Sequence, residues 1–398
     1  MSFVAWLDHS TEDERRVREM IRLFDQPETQ DALGFGQVRD AYGDLLFPGT
    51  STLHTRAKYL LFIPWCSITA AARGYTGDRL ERASRDNERR LIQTLSSMPD
   101  VQGLIGGRRG WTVRNLPSGT YSTALERWHI RGEEDQAVPS PDEDGELVAA
   151  THGWHRRLPA PPTGFPERVP GAFTLTYGEA EYLQSRLLSI DGPRSLFAYL
   201  ADQCGPAIDA PRLWEEPTVE HAPPHIRQDV RLAETFSTIS HGANLLYNYL
   251  VAKKYEQDGW TTVENPVERY ETRLDEWADS LQELGGFWPS WRDIRTRAAD
   301  ENANVLRNTS LDAFAETWFA MSSSEEPRAL WRSDAAQTLV RTREVSIKRL
   351  QSRFTNPTML SRWGGSSGAG AFEFRWPQAR QLLNDVAAGL RGDDLALA

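Results

Sequence analysis

A run of glycine and serine at residues 364–370 is the stretch whose composition comes nearest to a phosphate-binding loop. Such loops follow a strand, directly precede a helix, and usually carry a lysine followed by serine or threonine. Here no lysine follows the run, and residues 372–376, whose alternation predicts a short strand, come after it. A flexible turn is therefore the preferred interpretation, and no nucleotide or other cofactor is predicted.

The histidines are the other residues whose type and spacing suggest chemistry. His152 and His155 are spaced to reach one metal ion, but no third ligand lies near them, so no metal site is predicted. His9, His54 and His241 are candidate acid–base groups, with helix caps or core hydrogen bonds as the alternative. No known catalytic motif is present, so no catalytic residue is predicted and enzymatic activity remains an open alternative.

Arginines are concentrated between residues 101 and 132, in a chain with a formal net charge of −11. The segment holds five arginines and one glutamate, a local charge of +4. Arginine binds phosphate bidentately and stacks on bases, which makes DNA a possible partner. The predicted nucleic-acid-binding residues, with the last two as weaker candidates, are Arg108, Arg109, Arg114, Arg127, Arg131, Arg56 and Lys58. The alternative is that Arg127 and Arg131 pair with the acidic residues 133–146, and Arg114 with a helix C-terminus.

Arg56 and Lys58 interrupt a very apolar stretch, residues 47–65. Ser51 or Thr52 is predicted to cap a helix that contains both cations, because a short hydroxyl satisfies an otherwise unpaired amide. The helix is expected to continue past a proline kink and to form the centre of the N-terminal domain.

Two interpretations of Arg56 follow. A buried arginine must be paired, and Asp40 and Asp44 are the candidate partners. If Arg56 instead faces solvent beside Arg114, it belongs to the predicted nucleic-acid surface.

The composition describes an ordinary soluble protein of 398 residues, 39% hydrophobic and 25% charged, long enough for two or three domains. Fourteen tryptophans indicate large rings packed between helices. Cys66 and Cys204 form neither a disulfide framework nor a zinc site. Because no signal peptide or membrane-spanning run is evident, a cytoplasmic location without a membrane partner is expected.

Apolar residues recur at helical spacing through most of the chain, so the fold class is predicted as mainly α, a multi-subdomain helical protein. The longest predicted helix, at residues 226–257, is expected to be a central core element. Further helices are predicted at residues 78–98, 119–130, 176–188, 262–284, 326–353 and 377–390.

A winged-helix-like module is predicted near residues 85–165. A possible strand at residues 111–113 precedes a helix at 119–130 capped by Ser118. The basic segment 152–157, with the proline-rich passage after it, is either a wing-like hairpin with its linker or an extended crossing. A second basic region, residues 341–380, carries eight cations and two glutamates. The predicted division is an N-terminal helical domain at 1–98, the basic module with its acidic spacer at 99–170, a central helical domain at 171–325, and a basic C-terminal region with the glycine-rich turn at 326–398.

Several passages together resemble one bacterial family. They are residues 1–8, residues 47–65, Leu116-Pro117-Ser118 with Tyr121, residues 236–247, and Trp363-Gly364-Gly365 through Arg375-Trp376-Pro377. The family is catalogued as a domain of unknown function, and its members are often encoded beside helicase-like and nuclease-like genes in anti-phage defence neighbourhoods. The resemblance implies a DNA-linked or complex-forming role, and it carries no catalytic residues to this chain.

Three functions fit these observations. The first is a non-catalytic nucleic-acid-binding or adaptor subunit of a prokaryotic anti-phage defence system, supported by the local charge of +4. The second is a protein-interaction scaffold that recruits a helicase or nuclease without touching DNA. The third is an enzyme of unrecognised type, whose polar groups converge from distant parts of the chain.

Overall fold

The computed structural model describes residues 31–99, 101–107, 110–132, 153–190, 195–203, 205, 207–284, 288–324 and 326–392. Within these ranges the chain is mainly helical and forms no strand, which confirms the mainly α part of the predicted fold class. The chain divides into two compact units: unit 1 comprises residues 1–42 and 229–373, and unit 2 comprises residues 43–228 and 374–398. The four-part division made from the sequence stays a prediction. Its boundaries, after residues 98, 170 and 325, differ from those of the two units, after residues 42, 228 and 373.

The helices are, in chain order, α1 (Gly36–Leu46), α2 (Tyr59–Ala71), α3 (Gly77–Ser96), α4 (Pro117–Arg127), α5 (Tyr177–Leu188), α6 (Leu196–Asp202), α7 (Pro217–Glu220), α8 (Pro224–Gln257), α9 (Pro266–Glu283), α10 (Trp291–Glu301), α11 (Thr309–Ser324), α12 (Pro327–Leu330), α13 (Asp334–Lys348), α14 (Pro357–Ser361) and α15 (Trp376–Arg391). Short 3-10 helices occur at Gly110–Thr112, Leu213–Glu215, Ala303–Arg307 and Arg349–Gln351. None of the described helices is long and apolar enough to cross a lipid bilayer.

The core of unit 1 is built on α8, the long helix that the sequence predicts. Two tryptophans pack against it and bond to its backbone: Trp277 Nε1 donates to Thr238 O and Trp318 Nε1 to Ile239 O, both at 2.8 Å. Gly242 lets Trp277 approach, since a Cβ added there would lie 2.2 Å from the indole ring. Tryptophan therefore joins helices in this unit, as its frequency in the sequence indicates.

Unit 2 has its core around the apolar stretch at residues 47–65. The ring of Phe47 packs edge-on against Phe197 and tilted against Trp376, with centroids 5.7 and 5.8 Å apart. Helix α2 is buried on all sides from Tyr59 to Cys66 and continues through Pro64. A helix that is apolar all round belongs in the interior, so this stretch is the central helix of unit 2.

The predicted start of this helix is wrong. Helix α2 begins at Tyr59, so Arg56 and Lys58 precede it, and the Ser51 hydroxyl accepts a hydrogen bond from Leu53 N within a turn. The Tyr121 hydroxyl accepts bonds from the backbone amides of Thr55 and Arg56. The Tyr121 hydroxyl thus occupies these two amides, and the helical hydrogen bonds begin with the carbonyls of Ala57 and Lys58.

The two predicted strands are also absent from the described residues. The segment predicted as a strand at 111–113 starts inside the 3-10 helix Gly110–Thr112. In the other segment Phe374 and Arg375 have φ values of 49° and 67°, which extended backbone excludes.

The long helix predicted at residues 326–353 is divided. Helix α12 ends at Leu330, and α13 starts after Ser333, whose hydroxyl accepts a bond from Ala336 N. The C-cap of α13 is Arg349, which has a φ of 48°. Capping side chains and a left-handed residue thus override a helical pattern that is continuous in the sequence.

Candidate nucleic-acid interface

Arg56 and Lys58, the weaker candidates, are both bound by carboxylates within unit 2. Arg56 Nε donates to the two oxygens of Asp385 at 3.1 and 3.0 Å. Lys58 is buried, and its Nζ lies 3.2 Å from Glu179 Oε2. Burial lowers the pKa of the Lys58 ammonium, which the Glu179 carboxylate raises in part. The half-buried Arg56 and the buried Lys58 are thus each paired with a carboxylate, as a charge removed from water requires.

The expected partners of Arg56 are engaged elsewhere. Asp40 accepts a bond from Arg39 Nε at 2.9 Å, and Asp44 accepts one from Arg375 Nη1 at 2.6 Å. Arg56 is therefore paired, as the first interpretation predicts, but it is half-buried and its partner is an aspartate 329 residues away.

The stronger candidates lie on the surface of unit 2 where they are described. Arg114, Arg127 and Arg131 are exposed, and Arg108 and Arg109 lie outside the described residues. Arg131 forms the isolated antiparallel bridge with Trp154, and its guanidinium carbon lies 5.6 Å from the centre of the indole ring. This places an arginine on an aromatic face, an arrangement also suited to binding bases and phosphates.

The bridge results from how helix α4 ends. His129 adopts a φ of 52°, and the amides of Ile130 and Arg131 both donate to Leu125 O at 2.9 and 2.8 Å. The chain then pairs with the segment after Gly153, where His155 N donates to Ile130 O at 2.9 Å. The left-handed residue thus turns the end of α4 toward the Trp154 segment.

Several cations surround His155, which lies beside the bridge. Its ring centre is 5.6 Å from that of Tyr182 on α5, and the Arg186 guanidinium lies 5.9 Å from the centre of the Tyr182 ring. Burial lowers the pKa of His155, and neighbouring positive charges lower it further. Those charges are, in order of effect, Arg186, Arg156, Arg157 and His129. We define the His155 cluster as Arg131, Trp154, His155, Arg156, Arg157, Tyr182 and Arg186.

Two polar groups of the His155 cluster are buried without a partner among the described residues. They are the indole N–H of Trp154 and the hydroxyl of Tyr182, a side chain that is 7% exposed. Burial raises the pKa of Tyr182 well above its usual range, so its hydroxyl keeps its proton as a donor. Buried donors normally find acceptors, and these two lie in a setting of positive charge.

A family comparison adds to this geometry. The model of DUF6361, described as a family of unknown function, matches residues 1–389. The chain belongs to DUF6361. This agrees with the resemblance drawn from the sequence to a domain family of unknown function. No curated protein and no solved structure matches the DUF6361 chain.

His54 and His241 of the DUF6361 chain, two of the candidate acid–base groups, each place a ring nitrogen near a backbone oxygen. His54 stacks on Tyr121 with ring centres 4.1 Å apart, and its Nε2 lies 3.2 Å from Thr120 O. His241 Nε2 lies 3.2 Å from Ala369 O. In the part of the chain that the structure describes, no group of three or more metal-ligating side chains is placed to hold an ion. His9 and His152 lie outside the described residues.

The glycine-rich run of the DUF6361 chain is held by side chains of unit 1. Arg269 and Tyr270 both donate to Gly365 O, and Arg273 donates to Ala369 O at 2.6 Å. Asn248 donates to Ser367 O and accepts from Ser367 N, at 2.9 Å each. Because protein donors hold these carbonyls and Asn248 occupies a central amide, the run is a turn fixed by side chains rather than a flexible one.

Much of the second basic region also has internal partners. In unit 1, Arg343 is buried and donates to Leu33 O, and Lys348 Nζ donates to Asp31 O at 3.0 Å. Arg353 Nη1 donates to the Tyr247 hydroxyl at 2.6 Å. These cations stabilise the DUF6361 fold locally, which distinguishes them from the exposed arginines near α4.

Sequence reasoning found only part of the His155 cluster. Arg131 was predicted as a contact, and residues 152–157 only as a possible wing. The sequence Trp154-His155-Arg156-Arg157, two arginines directly after an aromatic pair, is the feature that indicates Arg156 and Arg157. No sequence feature indicates Arg186, because it belongs to an ordinary helical pattern. It joins the cluster through its contact with the Tyr182 ring.

Proposed function

We propose that the chain is a non-catalytic nucleic-acid-binding subunit of a prokaryotic anti-phage defence system. The observation that carries the nucleic-acid part is the His155 cluster, in which arginines from three separate segments meet beside aromatic rings. Exposed arginine beside aromatic side chains binds phosphate and bases together. In a chain with a net charge of −11, such a local concentration selects an anionic partner.

The binding surface is proposed to include the arginines on and around helix α4 as well. Arg114, Arg127 and Arg131 are exposed there, and Arg108 and Arg109 belong to the same sequence segment. Arg56 and Lys58 are left out, because their charges are matched by Asp385 and Glu179.

A winged-helix-like arrangement of residues 85–165 is part of the proposal. It is supported by the antiparallel bridge between Arg131 and Trp154, which comes directly after helix α4. In winged-helix modules a hairpin wing follows the recognition helix, and both contact the duplex backbone. Arg156 and Arg157 continue from the bridge on its second arm.

The defence setting rests on the family resemblance. A helicase-like or nuclease-like protein encoded nearby would be the partner, and the chain would bring it to nucleic acid. Co-purification with such a neighbour in the absence of nucleic acid would favour the alternative scaffold function.

The direct test is fluorescence anisotropy with a short labelled duplex at several salt concentrations. We compare the wild type with the double variant Arg156→Ala/Arg157→Ala and the triple variant Arg114→Ala/Arg127→Ala/Arg131→Ala. Loss of two or three phosphate contacts should weaken binding about tenfold or more, and should reduce the salt slope by about 0.9 per contact.

The matched control is Arg292→Ala/Arg307→Ala, which removes two exposed arginines of unit 1. It should bind as the wild type does. Absence of binding, or binding that neither salt nor the two unit 2 variants change, would contradict the proposal.

A further inference from the structure

Trp111 is the most exposed tryptophan among the described residues. Trp111 is 48% exposed, whereas nine of the twelve other described tryptophans are buried. A single exposed apolar residue is common on protein surfaces and needs no explanation by itself. The setting of Trp111 is what distinguishes it.

The backbone that carries Trp111 is anchored in the core of unit 2. Trp111 lies in the 3-10 helix Gly110–Thr112, and the next residue, Val113, is buried against Ile92 and Leu116. Gly106 packs so closely that an added Cβ would lie 2.5 Å from Val113. A ring carried on a backbone anchored in this way has less conformational freedom to lose when a ligand stacks on it.

Positive charge lies next to the ring. The guanidinium carbon of Arg89, on α3, is 6.0 Å from the ring centre of Trp111, and a 2.9 Å bond to Asp86 fixes that side chain. Arg114 is exposed three positions further along the chain. The exposed neighbours Thr112 and Asn115 are polar, so the surface is not an apolar patch for a protein partner.

We propose that Trp111 is a stacking platform for a base of single-stranded nucleic acid, with the exposed Arg114 beside the adjoining phosphate, while Arg89, whose charge Asp86 matches, lies over the ring. A flat apolar ring with an exposed guanidinium group nearby in the chain is complementary to a nucleobase and its phosphate. A base paired in a duplex presents only its edges, so the platform selects unpaired strands. The inference rests on the proposed function and assigns the class of nucleic acid that this surface takes.

The test measures anisotropy with three labelled probes: a single DNA strand, its duplex, and an RNA strand of the same sequence. Trp111→Ala should weaken binding to the single strands about tenfold, while duplex binding changes less than about twofold. Trp111→Phe should retain most of the affinity, since phenylalanine also stacks. The matched control is Trp260→Ala, which removes a tryptophan of unit 1 that is 39% exposed, and it should leave all three affinities unchanged.

The outcomes separate the two proposals. If Trp111→Ala binds single strands as the wild type does, or weakens duplex and single strands equally, the stacking platform is overturned while nucleic-acid binding stands. If the wild type binds none of the three probes, both proposals are overturned. A larger loss for RNA than for DNA, or the reverse, identifies which single strand the platform takes.

Discussion

Arg56 Nε donates to both carboxylate oxygens of Asp385, 329 residues further along the chain. The same carboxylate accepts a 2.8 Å bond from Ala57 N, just before helix α2 begins. Asp385 thus joins the last helix of unit 2 to the segment that starts its central helix. Burial raises the pKa of Asp385, and the Arg56 guanidinium lowers it in part.

Replacing Asp385 by alanine should lower the free energy of unfolding by about 3 kcal/mol. The variant leaves the Arg56 guanidinium and the Ala57 amide without their acceptor in a largely buried position. Asp385→Asn, which keeps the shape and one acceptor oxygen, should lose less. Urea denaturation of both variants measures this, with the exposed Asp209→Ala as the control; a loss no greater than that of the control would contradict it.

A second prediction concerns Glu88, a carboxyl group that is 2% exposed and accepts a 2.8 Å bond from Ser118 N at the start of α4. Burial raises its pKa from 4.5 to about 7. Between about pH 4.5 and 7, Glu88 is therefore protonated in the folded state and ionised in the unfolded state. Stability from this group is fully present below the unfolded pKa and falls as pH rises toward 7, by about 3 kcal/mol in total.

Glu88→Gln should remove this part of the pH dependence. The difference in unfolding free energy between about pH 5 and about pH 8 should shrink by about 2.5 kcal/mol relative to wild type. Denaturant titrations at both pH values measure it, and Glu181→Gln, an exposed site in the same unit, is the control. An unchanged pH dependence in Glu88→Gln would show that Glu88 titrates normally.

Gly242 gives a third prediction. Alanine there would place a Cβ 2.2 Å from the Trp277 ring, so either α8 or α9 must shift. Overpacking of this kind should lower the free energy of unfolding by about 2 kcal/mol. The control is Gly119→Ala in α4, where no atom lies within 4 Å of the added Cβ, and helix propensity should raise stability by about 0.5 kcal/mol. Equal effects at the two sites, measured by thermal denaturation, would contradict the packing argument.

The sequence predicts the helices of the fold well. The 226–257 pattern corresponds to Pro224–Gln257, and the helix predicted at 176–188 starts after a Thr176 cap reciprocated by Glu179. Both signals are local, because helical spacing and a capping box act within a few residues. The two strand predictions failed for the opposite reason: a 3-10 turn at Trp111 and the left-handed φ of Phe374 depend on tertiary packing.

Partners across long sequence separations were beyond prediction. Asp385 could not be chosen for Arg56 over the nearer Asp44, since only the packing of α15 brings it close. Similarly, Ser118 was predicted as a helix cap, but the helix begins at Pro117 and its Ser118 amide is bound by Glu88. Residue type indicated that a partner was needed, and the three-dimensional fold supplied its identity.

The glycine-rich run gives the last prediction. Asn248 bonds to both backbone groups of Ser367, and both residues are buried. Asn248→Asp replaces the donor to Ser367 O by an acceptor, so two oxygens face each other without a proton between them. This should lower the free energy of unfolding by about 3 kcal/mol, whereas Asn115→Asp, at an exposed site, should change it by less than about 0.5 kcal/mol. Since Asn248 already occupies the Ser367 amide and protein donors hold the carbonyls of the run, ATP and inorganic phosphate should leave the melting temperature of the wild type unchanged. A rise in melting temperature with either ligand, abolished by Asn248→Asp, would instead make the run a phosphate site.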